Sequence, residues 1–196
     1  MNSGYKMNIK KDLFLVSNLL SLLRLALAIP VWFLIGNMNS VSVRWMVFIV
    51  CVIAASTDFL DGYYARKHNE VTELGKIIDP LADKFIIGAI ILQLYLQRIV
   101  PDYYFFMIVG RDVLIFLGGI FVSKKLGKVL PSNMLGKITV VNISIVLLCF
   151  IMDVSRDNFI FLALYTLSIF LIFASFIGYL FRAIEFIKQQ NKNEAI

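Results

Sequence analysis

Apolar residues run along the chain in long blocks, at 19–36, 43–57, 85–97, 103–123, 138–152 and 158–181, with polar residues gathered between them. Several blocks reach the ~20 residues that cross a bilayer core as a helix. The second and third are shorter, and each runs into aspartates at one end. Lipid offers a backbone no hydrogen-bond partner, so a crossing segment must pair its own N–H and C=O groups. The blocks therefore predict six transmembrane helices in an all-α integral membrane protein, a single domain over 1–196.

The polar stretches refine this outline. In "NIKKDLFLVSNL", 8–19, Ile9, Leu13 and Val16 share one side while Lys10, Lys11 and Ser17 lie elsewhere. That pattern predicts a short amphipathic helix on the membrane surface; it equally fits the inner end of the first span. Pro30 lies inside that span, where it can kink a helix. "GNMNS", 36–40, makes a short turn, and Pro101 opens the fourth helix. "KKLGKVLPSNMLGK", 124–137, reads as a loop, and the tail 187–196 is expected to be disordered.

Composition agrees with the pattern: 60% of the 196 residues are hydrophobic and 16% charged, against about half and a quarter in soluble domains. The net charge of +6 invites a nucleic-acid reading, but its distribution argues otherwise. With six spans and both termini on one side, that side holds Lys6, Lys10, Lys11, Arg66, Lys67, Lys76, Lys124, Lys125, Lys128, Lys137, Arg182, Lys188 and Lys192. The other side holds Arg44, Arg98 and Arg156, with Asp102, Asp153 and Asp157 near two of them. The positive-inside rule then places the termini in the cytoplasm, and no nucleic-acid partner is needed. Cys51 and Cys149 lie in apolar runs without metal-like spacing and read as free thiols. Arg24 interrupts the first apolar run, which continues to Ile35, so a retained span fits better than a signal peptide.

The candidate chemistry lies in "STDFLDGYYARKHNEVTELGKIIDPLADKF", 56–85. Asp58 and Asp61 are three apart, Asp79 and Asp83 four apart, and either spacing puts both carboxylates of a pair on one helix face. A short connection between the second and third helices brings the two pairs to similar depth at the cytoplasmic side. Four carboxylates in a poorly hydrated cleft need cations, and oxygen-only donors suit Mg²⁺, Mn²⁺ or Ca²⁺. Gly62, Ala65 and Gly75 leave room for close approach, and Arg66, Lys67, Lys76 and Lys84 suit an anionic ligand. The plainer reading is a set of solvated helix-end acids; two pairs framed by these glycines favour a metal-assisted site for a phosphate-bearing substrate.

The segment Asp58-x-x-Asp61-Gly62-x-x-Ala65-Arg66, eight residues, Gly75-x-x-x-Asp79-x-x-x-Asp83 resembles the signature of the CDP-alcohol phosphatidyltransferases at every defined position. "SNLLSLLR", 17–24, followed by Pro30, and the six-block hydropathy extend the likeness more weakly along the chain. The resemblance implies that an acceptor hydroxyl attacks the β-phosphorus of a CDP-linked lipid and releases CMP. It implies two divalent ions, Mg²⁺ or Mn²⁺, on Asp58, Asp61, Asp79 and Asp83, with Asp83 also the general base. Gly62, Ala65, Arg66, Thr72 and Gly75 fall where the family binds the CDP moiety. It also implies a multi-pass protein of a bacterial plasma membrane acting on CDP-diacylglycerol, and the family includes homodimers.

The acceptor rests on other residues. "GRD", 110–112, puts Arg111 inside the fourth span, where an ionisable residue should face the protein interior. "PSNMLGK", 131–137, opens the fifth helix, where Ser132 or Asn133 can cap, the helix N-terminus favours anions, and Lys137 adds a cation. Arg111, Ser132 and Lys137 then read as a phosphate site on the acceptor, or as a structural ion pair and an ordinary cytoplasmic lysine. The arginine-plus-acid and the Ser…Gly-Lys resemble the bacterial members that form phosphatidylglycerophosphate, which makes glycerol 3-phosphate the expected acceptor. Asp112 stands where those usually have glutamate. CDP-dependent cardiolipin synthases and inositol-phosphate transferases of the same family remain alternatives. Outside the family, an intramembrane prenyltransferase also pairs aspartates with Mg²⁺, and an ion transporter also carries membrane acids; the glycine-arginine framework and the one-sided aspartates speak against these.

Overall fold

The structure, a computed structural model, describes residues 15–68, 75–126 and 134–193. Among these, six helices and no strand occur: α1 Val16–Gly36, α2 Val41–His68, α3 Gly75–Leu96, α4 Asp102–Leu126, α5 Met134–Ile151 and α6 Phe159–Asn193. Stretches Asn18–Gly36, Asp102–Ile120, Met134–Ile151 and Phe159–Phe186 are long and apolar enough to cross a membrane. Val41–Thr57 and Lys84–Leu96 are shorter apolar stretches, because α2 and α3 spend their remaining turns on the aspartate segment.

Boundaries near both ends of the chain differ from expectation, and the expected loop at 124–137 is helical at 124–126 and 134–137. Residues 16–19 form the first turn of α1, which starts after an extended Leu15 (φ −66°, ψ 142°) and passes through Pro30. The part of the expected surface helix at 8–14 lies outside the described residues. At the other end, α6 continues through Asn193, so positions 187–193 of the expected disordered tail are helical. Lys188, Gln189 and Gln190 are good helix formers, and no Gly or Pro follows Gly178 to stop the helix.

Residues up to Gln97 form one compact unit and those from Arg98 a second. In the first, α1 packs on both α2 and α3. Its buried row descends Ile35, Val31, Ala28, Arg24, Ser21 and Asn18, steps of three and four that keep one helix face turned inward. The row on α2 is Val47, Cys51, Ala54 and Thr57, and that on α3 is Leu94, Ile90, Ile86 and Ala82. The other faces expose Ile29, Phe33, Ile49, Val52 and Leu92, as lipid-facing sides do.

One end of this unit is tied by amides. Gln97 Nε2 donates to the Gly36 carbonyl at 3.0 Å. A Cβ at Gly36 would stand 2.7 Å from Gln93 Nε2, so the absent side chain leaves that amide its place at the end of α1.

In the second unit, α6 packs on α5 and α4. Small polar side chains stitch the contacts, as is common between membrane helices. Thr139 Oγ1 donates to the Leu135 and Leu171 carbonyls at 2.7 and 3.2 Å, and the Tyr104 and Ser168 hydroxyls share a bond of 2.7 Å. Tyr179 fits against Gly118 and Gly119, where a Cβ at Gly119 would lie 2.9 Å from its Oη. The Arg98–Asp102 pair (3.5 Å) is exposed and contributes little to stability. Cys51 and Cys149 are free thiols, as expected.

Candidate active site

Asp58, Asp61, Gly62, Ala65 and Arg66 lie on α2, and Gly75, Asp79 and Asp83 on α3. The side chains of these eight lie outside the described part of the structure, as do all of Thr72 and Ser132. The backbone nevertheless fixes their register. Positions 58 and 61 continue the steps 47, 51, 54 of the buried row on α2. Positions 83 and 79 continue the steps 93, 90, 86 on α3.

Topology brings these segments to one end of the unit. The Gln97–Gly36 bond puts the C-termini of α1 and α3 side by side, so the two helices run parallel. The short turn at 37–40 sends α2 back antiparallel to α1. The C-terminal turns of α2, the first turns of α3 and the first half of α1 therefore share one end. There the buried row of α1 changes character: Asn18, Ser21 and Arg24 are at most 1% exposed. Thr57, also buried, bonds its Oγ1 to the Ala54 carbonyl at 2.7 Å. In the sequence Arg24 stands out as an interruption of the first apolar run and as the end of the SNLLSLLR segment. A charged residue inside an apolar span was the signal that could have marked it as functional.

In the second unit the structure brings Arg111 to the opening of α5. Its side chain is 9% exposed and bonds Asp112 Oδ1 through Nη1 at 2.6 Å. Its Nε donates to Ser175 Oγ on α6 at 3.2 Å. A Cβ at Gly136, in the first turn of α5, would be 3.3 Å from Arg111 Nη2. Lys137 follows and is exposed. Arg111 thus faces inward as expected, and it gathers the α5 N-terminus, Asp112 and Ser175 around one guanidinium. The ion pair with Asp112 satisfies the structural reading, yet Nη2 is directed at a helix start that favours anions. Ser175, which the sequence reading did not single out, anchors the arrangement.

Among the described residues, no group of three metal-capable side chains occurs. The four aspartates that the sequence offers as hard oxygen donors have side chains outside the described residues.

The apolar helices and the inward-drawn arginines Arg24 and Arg111 fit a membrane protein. Residues 14–180 match the family model described as CDP-alcohol phosphatidyltransferase. The chain belongs to that family, and it is a transferase of phospholipid biosynthesis. Among its relatives, a protein of Aquifex aeolicus is 35% identical over 179 residues, covering 88% of this chain and 97% of the relative. A Bacillus subtilis protein is 42% identical over 90 residues, 46% of each chain. A Rickettsia bellii protein is 41% identical over 98 residues, 50% of this chain and 54% of the relative. All three carry the name CDP-diacylglycerol–glycerol-3-phosphate 3-phosphatidyltransferase. The matches to the second and third span about half of each.

Proposed function

We propose that this protein transfers the phosphatidyl group of CDP-diacylglycerol to glycerol 3-phosphate, releasing CMP. The observation that carries the reading is the shared register: the buried rows of α2 and α3 run on into positions 58, 61, 79 and 83 at one end of the unit. The name and nearly full coverage of the Aquifex aeolicus relative support the acceptor. Asp58, Asp61, Asp79 and Asp83 would hold two divalent ions, Mg²⁺ or Mn²⁺, which when bound neutralise the diphosphate and the charge that builds up during attack.

The residues divide the work. Gly62, Ala65 and Gly75 leave backbone space for the CDP moiety, Thr72 offers it a hydroxyl, and Arg66 offers a cation. The acceptor oxygen forms a bond to the β-phosphorus as the bond to CMP breaks, and Asp83 takes the hydroxyl proton. Arg111, Lys137, the α5 N-terminus and Ser132 receive the acceptor's phosphate. Arg111 is already oriented by Asp112 and Ser175. All six helices cross a bacterial plasma membrane, with the termini and the aspartates at the cytoplasmic face.

Purified protein should release CMP from CDP-diacylglycerol only with divalent metal, and fastest with glycerol 3-phosphate among a panel that includes glycerol, inositol phosphate and phosphatidylglycerol. Activity in chelator would remove the metal assignment. A preference for phosphatidylglycerol or an inositol phosphate would replace the acceptor while leaving the CDP-lipid chemistry in place.

A further inference from the structure

Arg24 is the only charged residue in α1, and it is 1% exposed. A buried guanidinium is strongly unfavourable without an anion to face. The acids of the first unit are Asp12, Asp58, Asp61, Glu70, Glu73, Asp79 and Asp83, and of these only the four aspartates lie on the helices packed against α1.

Helix rise sets the level of Arg24 against their positions. Gly36 stands beside Gln93 and Gln97. Twelve residues back, about 18 Å, Arg24 falls level with 81–85 of the parallel α3, which brackets Asp83. On antiparallel α2 the same distance from Val41 reaches Ile53. Helical side chains lean toward their own N-terminus, so a long arginine extends about a turn further. That takes the guanidinium to about the level of Thr57 and Asp58 on α2, and on α3 to about 77–81, level with Asp79 and within a turn of Asp83.

We propose that Arg24 is a positioning residue: a fixed buried cation in the wall of the site that sets the carboxylates of α2 and α3 in the arrangement that receives divalent metal. The inference rests on the metal reading proposed above. It gives the polar half of the α1 row a purpose distinct from packing, because a second cation offsets mutual repulsion among four carboxylates before any ion arrives. Partners that orient metal ligands typically change metal affinity 10–100-fold when removed.

The test uses the full chain in detergent, with Mn²⁺ binding followed by electron paramagnetic resonance and unfolding followed by heating. Arg24→Gln should weaken Mn²⁺ binding by about tenfold or more, and Arg24→Lys should recover part of the loss. Arg24→Gln combined with Asp58→Asn or Asp83→Asn should lower Tm by clearly less than the sum of the single changes for at least one aspartate. Unchanged Mn²⁺ affinity in folded Arg24→Gln overturns the proposal; if the KM for CDP-lipid alone rises, the arginine meets substrate instead. Additive Tm effects with both aspartates also overturn it. Should Arg24→Gln fail to fold, recovery of folding in a double variant supports the pairing, and failure of every double variant refutes it. A wild-type protein that binds no Mn²⁺ rejects the metal reading, whereas the Tm comparison still decides whether Arg24 serves the carboxylates.

Discussion

Arg24, Lys84 and Arg111 all sit within or beside apolar runs, and their exposures separate them: Lys84 is exposed, while the other two are drawn inward. For Arg111 the expected loss is quantitative. A charge-assisted hydrogen bond to a buried phosphate contributes roughly 1.5–3 kcal/mol. Arg111→Gln should therefore lower kcat/KM for glycerol 3-phosphate about 10- to 150-fold, with much less effect on CDP-lipid use and none on free glycerol as acceptor. Because Arg111 also bonds Asp112, Asp112→Asn is the necessary companion. If Asp112→Asn alone reproduces the loss, the arginine acts through its orientation. Equal losses for glycerol and glycerol 3-phosphate would assign Arg111 to the fold.

At the scale of helices, the blocks of apolar sequence were legible because crossing lipid demands both length and continuity. Their ends were less so: α6 runs on to Asn193, since polar helix formers prolong a helix that lipid no longer requires. Which face turns inward was legible on α2 and α3 through the aspartate spacing. On α1 it was not, because Asn18, Ser21 and Arg24 resemble the polar end of any span until packing shows them buried. The Arg111–Ser175 bond joins residues 64 apart, a pairing that no local pattern announces. The α4–α6 contact gives a stability prediction. A Cβ at Gly119 would meet Tyr179 Oη at 2.9 Å, whereas one at Gly118 meets Tyr179 Cε1 at an ordinary 3.5 Å. Gly119→Val should destabilise by about 1–3 kcal/mol through overpacking, read as a lower Tm in detergent. Gly118→Ala should be near neutral, and Tyr179→Phe should relieve much of the Gly119→Val defect. Equal effects at both glycines would show that the notch is not the constraint.

Across the whole chain, the family match covers 14–180, and within the first unit positions 58, 61, 79 and 83 share one end. The amides of Gln93 and Gln97 at Gly36 act on that layout from the far end. A helix is a screw, and pinning it at one point sets the phase of every turn beyond. With α3 clasped at 93–97, the angle at which positions 79 and 83 present themselves is dictated by the number of residues in between, not by their identity. One alanine inserted after Gly88, where a Cβ would meet open space, should advance that angle by about 100° and lengthen the helix by only about 1.5 Å. Such a protein should still enter the membrane and resist proteolysis, yet lose CMP release. The same alanine placed between Val100 and Pro101, past the clasp, should leave turnover close to wild type. If both insertions are silent, α3 is free to rotate in its seat; if only the first kills, residue count along this stretch is as strict a requirement as the aspartates themselves.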